Sequence, residues 1–223
     1  MRVATLFSGG KDSIYAVYIA EQHGWDITNL VTIQPENKDS WMYHSVNIHL
    51  VDELSEAIDI PIIKGFSIGK KEYELIDLKK ILSKLDINGV ISGALASEYQ
   101  RTRIEKICYE LKIRSFTPLW HKDQELILRN QVDAGFKIII TGVFAHGLDE
   151  TWLGRIIDEN CINKLVKLKN KYSFNIAGEG GEFETLVMDG PIFKKKLVLD
   201  EVSKEWKRDS GILKVKKSHL EKN

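Results

Sequence analysis

Short runs of β-branched and apolar residues alternate along the chain with stretches whose apolar positions recur at helical spacing. The first pattern is typical of strands buried on both faces, and the second is typical of amphipathic helices. The predicted strands of the first half cover residues 3–7, 27–33, 61–65 and 89–92, and the predicted helices cover residues 11–23, 43–58, 71–85 and 98–111. This alternation predicts an α/β fold with a doubly wound parallel sheet and helices on both faces.

The pattern changes after Pro118. A helix over residues 123–134, a strand over 136–143 and a helix over 158–171 are followed by short runs at 172–176, 183–188, 194–202 and 212–216. These runs resemble a meander, and the charged tail at 214–223 is expected to be solvated. We therefore predict one domain over residues 1–120 and a smaller α+β domain over 121–223, whose meander would offer a surface for a homodimer.

Composition narrows the class of protein. Lys and Arg number 32, Asp and Glu also number 32, and the formal net charge is zero, whereas nucleic-acid binders and polybasic membrane anchors need an excess of cations. A hydrophobic content of 43% is enough for a folded core. The apolar runs are strand-sized, and no signal-peptide pattern follows Met1. We expect a cytoplasmic protein with no nucleic-acid or membrane partner.

The two cysteines, Cys108 and Cys161, lie far apart in the sequence and outside any Cys-x-x-Cys motif. This spacing argues against a disulfide framework and against a zinc site of the usual kind. Cys108 also falls on the predicted buried stripe of its helix, together with Ile104, Ile107 and Leu111.

A glycine-containing loop stands between the first predicted strand and the first predicted helix: Ser8, Gly9, Gly10, Lys11, Asp12 and Ser13. Two glycines let the backbone turn sharply near a ligand, and a helix N-terminus favours phosphate. The serine hydroxyls add donors, Lys11 adds a positive charge, and Asp12 offers a ligand for Mg²⁺. The alternative is an ordinary tight turn in which Asp12 or Ser13 caps the helix.

The hexapeptide has neither the spacing of the GxxxxGK[ST] loop nor that of the GxGxxG fingerprint. It resembles instead the pyrophosphate-binding loop of the N-type ATP pyrophosphatases. That resemblance implies a nucleotide-binding domain of the adenine-nucleotide alpha-hydrolase-like, HUP type, which cleaves ATP between the α and β phosphates and leaves an adenylated substrate. Lys11 and Asp12 would then be catalytic, and the loop as a whole would bind ATP.

Further motifs resemble the diphthine–ammonia ligase family over nearly the whole chain. They lie at residues 39–44, 93–103, 118–120, 147–155, 178–185 and 189–191, and the most distinctive is Gly-Glu-Gly-Gly-Glu-Phe-Glu-Thr at 178–185. The resemblance implies ATP-dependent adenylation of the diphthine carboxylate on translation elongation factor 2. Ammonia would then replace AMP to give diphthamide, AMP and pyrophosphate, with ATP, Mg²⁺ and ammonia as cofactors and co-substrate.

Several polar residues follow the predicted strands, where open parallel sheets bind ligands. His44 and Gly93 are candidates for the nucleotide crevice, although His44 could equally be a polar residue in the first turn of a helix. The next helix begins with substrate-binding candidates: Glu98, Gln100, Arg101 and Arg103. The two arginines cannot share a helix face, so we expect at most one to reach phosphate and the other to pair with Glu105 or Glu110.

The acidic segment contains Glu179, Glu182 and Glu184, and we assign it with Thr185 to substrate binding. If residues 182–186 are extended, Glu182 and Glu184 project from one face and form a candidate catalytic pair. Such a pair could hold the trimethylammonium group of diphthine, accept a proton from ammonium, or ligate Mg²⁺. The alternative is a glycine-rich hairpin with solvated acids.

Asp149 and Arg155 are further candidates for contacts with the substrate. Trp120 and Trp152 could form an aromatic cage for a quaternary ammonium, but aromatic residues of a mixed domain are more often part of the core.

Two other functions compete with the ligase. One is a different adenylating enzyme, for example one that modifies tRNA, although a thiolating member would need a reactive cysteine. The other is a sensor that binds AMP or ATP without catalysis. A glutaminase-coupled reaction would need a nucleophilic cysteine with a recognisable partner, so free ammonia is the simpler donor.

Overall fold

The computed structural model describes residues 1–35, 46–67 and 71–222. A first group of elements forms a parallel sheet with its helices: β1 (Arg2–Leu6), α1 (Lys11–Gln22), β2 (Asp26–Pro35), α2 (Val51–Ile58), β3 (Ile62–Ser67), α3 (Lys71–Leu82), β4 (Gly89–Ile91), α4 (Glu98–Glu110) and β5 (Arg114–Phe116). Its five strands have the order β3-β2-β1-β4-β5 and are all parallel. The predicted α/β fold with a doubly wound parallel sheet is confirmed.

Strand β1 lies at the centre of this sheet, and the strand order reverses there. Thr5 is paired with Leu30 of β2 on one side and with Ile91 of β4 on the other. In open α/β sheets the crevice beyond the carboxyl ends of the strands at such a reversal is the usual place for a ligand. The loop that follows β1 is therefore placed at this crevice by the topology of the sheet.

Alternating residues of the strands explain how both faces of the sheet are covered. Ala4, Val31 and Val90 pack with α3 and α4, whereas their neighbours Val3, Leu30 and Ile91 pack toward α1 and α2. Successive side chains of a strand point to opposite faces, so continuous apolar runs bury both. Cys108 lies in the α4 layer and is 1% exposed, as the spacing of the apolar positions in its helix predicts.

The second group of elements forms an antiparallel sheet. It comprises α5 (Gln124–Asp133), β6 (Lys137–Val143), α6 (Glu159–Tyr172), β7 (Phe183–Asp189), β8 (Lys195–Lys207) and β9 (Ser210–Lys222). The four strands have the order β7-β6-β9-β8. The predicted smaller α+β fold of the C-terminal part is therefore confirmed.

Several boundaries differ from the sequence-based predictions. The predicted helix over 43–58 is a 3₁₀ turn at Ile48–Leu50 followed by α2, with residues 43–45 outside the described residues. Strand β5 was not predicted. The run at 172–176 is not a strand, because α6 extends to Tyr172 and a turn follows. The strands are not in simple meander order, since β7 and β8 lie at opposite edges of the sheet.

The charged tail is also not simply solvated, as the sequence had suggested. Strand β9 runs through residues 210–222 and pairs along its length with β8, so it continues well beyond the run predicted at 212–216, in which the buried Leu213 and Val215 lie. Alternating lysines point outward from the same strand, which made the segment look like a polar tail. The partner strand β8 is needed to recognise it as part of a sheet.

Asn47 joins the two sheets. Its side-chain amide donates to the carbonyl of Leu213 at 3.0 Å and accepts from the N–H of Val215 at 3.0 Å, and the residue is 4% exposed. The neighbouring His49 ring contacts the Val215 carbonyl at 3.1 Å through Nε2. Because β9 has an unpaired edge at this point, the amide of Asn47 takes the place of another strand.

Within residues 1–35, 46–67 and 71–222, none of the helices combines the length and the apolar character needed to span a bilayer.

We expect Asn47→Ala to lower the free energy of unfolding by about 2–4 kcal/mol, because it leaves a buried N–H and a buried carbonyl of β9 without partners. Chemical denaturation measures the change. The control is Asn88→Ala, which removes one exposed contact to the Arg2 N–H and should cost less than about 1 kcal/mol. Equal losses in both variants would contradict the role given to Asn47.

Candidate active site

The segment from Ser8 to Ser13 comprises the turn after β1 and the first turn of α1, and its backbone requires glycine at position 9. Gly9 has a φ of +78°, and a Cβ at this position would lie 2.6 Å from Cδ1 of Leu54. Gly10 is the residue before the helix and adopts an extended conformation. The loop therefore turns sharply and presents the N-terminus of α1 to the crevice, as phosphate binding demands.

Hydrogen bonds within the loop hold this conformation. The Ser13 hydroxyl donates to the carbonyl of Gly10 at 2.9 Å and accepts from the N–H of Ser8 at 3.3 Å. The hydroxyls of Ser8 and Ser13 lie 3.2 Å apart. Ser13 thus stabilises the loop from within, while Ser8 lies at the edge of the cavity.

Gly93, which follows β4, allows a second segment to approach the loop closely. A Cβ on Gly93 would lie 2.7 Å from the backbone carbonyl of Asp12 and 2.8 Å from the N–H nitrogen of Ser13. These are backbone atoms of a helix and cannot move aside. The residue that the sequence placed in the nucleotide crevice therefore packs directly against the first turn of α1.

Lys11 and Asp12 form an ion pair at the start of α1. The Lys11 Nζ lies 2.5 Å from Oδ2 of Asp12, and Lys11 is only 4% exposed. The ammonium group also lies 5.9 Å from the centre of the Phe183 ring. The Lys11 side chain is thus buried beside one carboxylate, where a phosphate group would meet its ammonium with little screening by water.

The antiparallel sheet closes the other side of the loop. The N–H of Lys11 donates to the Thr185 hydroxyl at 3.2 Å, and the N–H of Val187 donates to the Gly9 carbonyl at 3.2 Å. Strand β7 is thereby hydrogen-bonded to the turn that is predicted to bind phosphate. Residues distant in sequence meet here in one site.

A cavity of about 380 Å³ lies between the two sheets. Its walls come from the loop, from the segment after β4, from α4 and from the glycine-rich segment, and the polar residues among them include Ser8, Lys11, Asp12, Ser13, Ser92, Gln100, Glu179, Glu184 and Thr185. The two candidate segments of the sequence, basic and acidic, thus share one cavity.

The three glutamates of the acidic segment have different surroundings. Glu179 lines the cavity, and its Oε1 accepts from the N–H of Leu95 at 2.5 Å. Burial raises the pKa of Glu179, the N–H of Leu95 lowers it, and the nearby charge of Asp12 raises it further. Glu184 also lines the cavity and accepts from the N–H of Val46 at 2.8 Å.

Glu182 does not line the cavity. Its two oxygens accept from the N–H of Asn175 at 2.9 Å and from the N–H of Gly180 at 2.8 Å, so the carboxylate holds the glycine-rich loop closed. It precedes β7 rather than lying within it. Glu182 and Glu184 therefore do not form a pair of carboxylates that both face the cavity.

Of the candidate residues at the start of α4, Gln100 lines the cavity and the two arginines do not. Arg101 pairs with Glu105 at 2.8 Å and with Glu98 at 3.3 Å, and its guanidinium lies over the Trp120 ring at 4.5 Å. Arg103 lies over the ring of Tyr99 at 3.5 Å. Neither arginine lines the cavity in this structure, and the Arg101–Glu105 pair is one that the sequence had suggested.

The remaining candidates lie elsewhere. Asp149 is exposed and caps a 3₁₀ turn through the N–H of Thr151 at 3.0 Å. Trp152 is buried, and the Arg155 guanidinium lies 4.6 Å from the centre of its ring. His44 lies outside the described residues, as does the rest of the motif at 39–44.

Gln131 is a residue of the site that the sequence did not reveal. It lies on α5, is 0% exposed, and its Nε2 lies 3.3 Å from Oδ1 of Asp12. Nothing in the spacing of α5 distinguishes it from a core-facing polar residue. Only the tertiary structure places it in contact with Lys11 and Asp12 of the loop at residues 8–13.

Comparison with known proteins identifies the family. The family described as the diphthamide synthase N-terminal domain matches residues 1–115, and that described as the diphthamide synthase C-terminal domain matches residues 123–220. The chain belongs to the diphthamide synthase family. Membership confirms the resemblance found in the motifs.

Relatives in this family include proteins described as diphthine–ammonia ligases. The one from Rattus norvegicus is 37% identical, over 90% of this chain and 83% of its own. The one from Homo sapiens is 36% identical, with the same two shares. The one from Danio rerio is 34% identical, over 99% of this chain and 97% of its own. The similarity therefore extends over both sheets of this diphthamide synthase family member.

The raised pKa of Glu179 predicts a pH dependence of stability. A carboxyl with a raised pKa in the folded state favours folding at low pH, and this contribution is lost as the pH rises from about the ordinary value of 4.5 through the folded pKa. We therefore expect Glu179→Gln to gain stability relative to the unsubstituted protein as the pH rises through this window. Denaturation series at several pH values measure the difference, with exposed Glu150→Gln as control. A difference independent of pH would contradict the assignment.

Proposed function

We propose that this protein is an ATP-dependent amide ligase that adenylates the diphthine carboxylate on translation elongation factor 2. Ammonia then replaces AMP, giving diphthamide, AMP and pyrophosphate. The observation that carries the proposal is the single cavity in which the phosphate loop meets the acidic, glycine-rich segment. We assign ATP binding to residues 1–120 and binding of the protein substrate to residues 121–223, in the cytoplasm.

Adenylation is the chemistry that a carboxylate requires before it can form an amide. Attack on a carboxylate adds negative charge to a group that already carries one, and its oxygen is a poor leaving group. Transfer of AMP to that oxygen creates a mixed anhydride from which AMP departs as a phosphate. The protein must therefore stabilise the charge that develops on pyrophosphate in the first step and hold ammonia near the carbonyl in the second.

The phosphate loop suits the first step. The N-terminus of α1 and the Lys11 ammonium are directed at the same cavity, and the hydrogen bonds of Ser13 and Thr185 hold the loop in place before a ligand arrives. Preorganised donors of this kind are often the largest contribution to catalysis, and loss of one costs about 10²–10³ in rate.

Asp12 is the residue that we assign to Mg²⁺. Mg²⁺ is usually held in nucleotide sites by one or two carboxylates together with the phosphates, and Asp12 is a carboxylate in the first turn after the phosphate loop. The described residues contain no cluster of three metal-ligating side chains, which fits a metal that arrives with the nucleotide. When bound, Mg²⁺ would neutralise phosphate charge.

Glu179 and Glu184 suit the second step. Both line the cavity, and their carboxylates could attract the trimethylammonium group of diphthine or an ammonium ion. The raised pKa of Glu179 brings it closer to the range in which a carboxylate accepts a proton from ammonium. We assign Glu179 and Glu184 to this cationic side of the substrate, and we assign Glu182 to holding the segment that carries Glu179.

The cysteines argue against a thiolating reaction. Burial raises the pKa of both Cys108 and Cys161 to about 11, so neither is a thiolate at neutral pH. A thiolate is the reactive form of cysteine. Amide formation with ammonia needs no such group.

Exchange of pyrophosphate into ATP tests the proposal. We expect exchange that depends on a diphthine-bearing factor, and we expect Lys11→Ala and Asp12→Ala to abolish it, because each removes a charge from the phosphate end of the cavity. Lys84→Ala and Asp133→Ala, at exposed positions, are matched controls that should retain the exchange rate. Tight ATP binding without any exchange would instead support a nucleotide sensor.

A second prediction separates the two glutamates near β7. Glu184→Gln should slow amide formation by about 10²-fold with little loss of stability, since it removes a charge from the cavity. Glu182→Gln should instead lower the free energy of unfolding by about 1–3 kcal/mol, because an amide can accept only one of the two N–H bonds.

Amide formation from ATP and ammonia, measured alongside chemical denaturation, gives both quantities. Exposed Glu150→Gln serves as the control for both variants. If both Glu182→Gln and Glu184→Gln form the amide at the original rate, neither carboxylate takes part in the reaction.

A further inference from the structure

Gln131 contacts the loop at residues 8–13 (the phosphate loop) on the side away from the cavity. Its Nε2 lies 3.3 Å from Oδ1 of Asp12 and 3.4 Å from the carbonyl oxygen of Lys11, and the residue is fully buried. It does not belong to the walls of the cavity. It therefore touches a residue of the site without being able to touch a ligand there.

The orientation of this amide is set by its neighbours. Both nearby groups are oxygens that only accept hydrogen bonds, so the NH₂ end must face them, and the reversed amide would bring three oxygens together. The Oε1 atom at the other end has no partner among the described residues. A buried carbonyl without a partner destabilises the folded state, a cost that an apolar side chain of similar size would avoid. Packing alone therefore does not account for a glutamine here.

A line of contacts leads from Gln131 to the cavity. Oδ1 of Asp12 accepts a hydrogen bond from the Gln131 amide, and Oδ2 lies 2.5 Å from the ammonium of Lys11. The Asp12 carboxylate is thus held from both sides, and its position in turn fixes that of the Lys11 ammonium. Without the amide, the ion pair with Lys11 would hold the carboxylate from one side only, and the pair could take up other rotamers together.

We propose that Gln131 is a positioning residue for the phosphate end of the site. Its amide holds the Asp12 carboxylate, and through it the Lys11 ammonium, in the orientation that receives the phosphates of Mg·ATP. The inference rests on the proposed function for the identity of the nucleotide.

Substitution by methionine removes the donor and nearly preserves the volume. We expect Gln131→Met in the full chain to weaken Mg·ATP binding about tenfold, which corresponds to about 1.4 kcal/mol, because the Asp12 carboxylate loses a hydrogen-bond donor that holds it in place. Titration calorimetry measures the dissociation constant. The matched control is Gln124→Met, the same change at the start of α5, which should alter the constant less than twofold. Gln131→Leu is a second variant without a donor and should weaken binding similarly.

A double substitution separates positioning from a general structural effect. In an Asp12→Ala background the carboxylate that Gln131 holds is absent, so adding Gln131→Met should change the Mg·ATP dissociation constant less than twofold. An undiminished tenfold effect in that background would show that Gln131 acts by another route and would overturn the proposal. Thermal unfolding of each variant, expected within a few degrees of the unsubstituted protein, establishes that the variants are folded.

The exchange assay distinguishes failure of this proposal from failure of the proposed function. Tenfold weaker Mg·ATP binding in Gln131→Met supports the positioning role even if the unsubstituted protein shows no diphthine-dependent exchange, which would reject only the ligase. Unchanged binding in both donor-free variants overturns the positioning role even if exchange is present.

Discussion

The hydrogen bonds between the phosphate loop and strand β7 join the two sheets at the place where the proposed reaction occurs. The Gly9 carbonyl and the Lys11 N–H are both bonded to β7, through Val187 and Thr185. Because these groups belong to the turn itself, the loop cannot take up its conformation independently of the antiparallel sheet. The second sheet is therefore part of the proposed nucleotide site as well as a wall of the same cavity. Close packing elsewhere around the loop leaves no room for a side chain at Gly9, which is crowded by Leu54, or at Gly93, which is crowded by the backbone of Asp12 and Ser13.

The distribution of charge follows from this arrangement. A formal net charge of zero describes the whole chain, yet the buried Lys11, paired with Asp12 at the N-terminus of α1, shares one cavity with the carboxylates of Glu179 and Glu184. Such a site can accept a phosphate at one end and a cation at the other, which are the two charged groups of the proposed substrates. Burial strengthens each of these interactions because little water is present to screen them. It also makes the orientation of each charged group matter, so the residues that hold these groups in place affect the site as well.

Much of the fold was predictable because its information is local. Continuous apolar runs indicated strands buried on both faces, and the periodic apolar stripe that includes Ile104 and Cys108 indicated a helix packed on the sheet. The errors have a common cause. The apolar positions at 212–216 indicate a short run, but the lysine-rich pattern after it predicts a solvated tail, and only the pairing with β8 shows that β9 continues to Lys222. The run at 172–176 was taken for a strand because short apolar runs do not distinguish a strand from the end of a helix and the turn after it.

The sequence by itself determined the parallel α/β sheet, the place of the glycine-containing turn after its first strand and the family, because these depend on residues adjacent in the chain. Only the tertiary structure decided how the site is assembled. Glu182 and Glu184 look equivalent in sequence. In the structure the Glu182 carboxylate accepts hydrogen bonds from backbone N–H groups of the glycine-rich loop, whereas Glu184 lines the cavity. The sequence of α5 does not mark Gln131 as a residue near the site, and only its contact with Asp12 in the folded protein does so. The physical reason is that hydrogen-bond partners are chosen by packing between distant segments, which a local pattern does not encode.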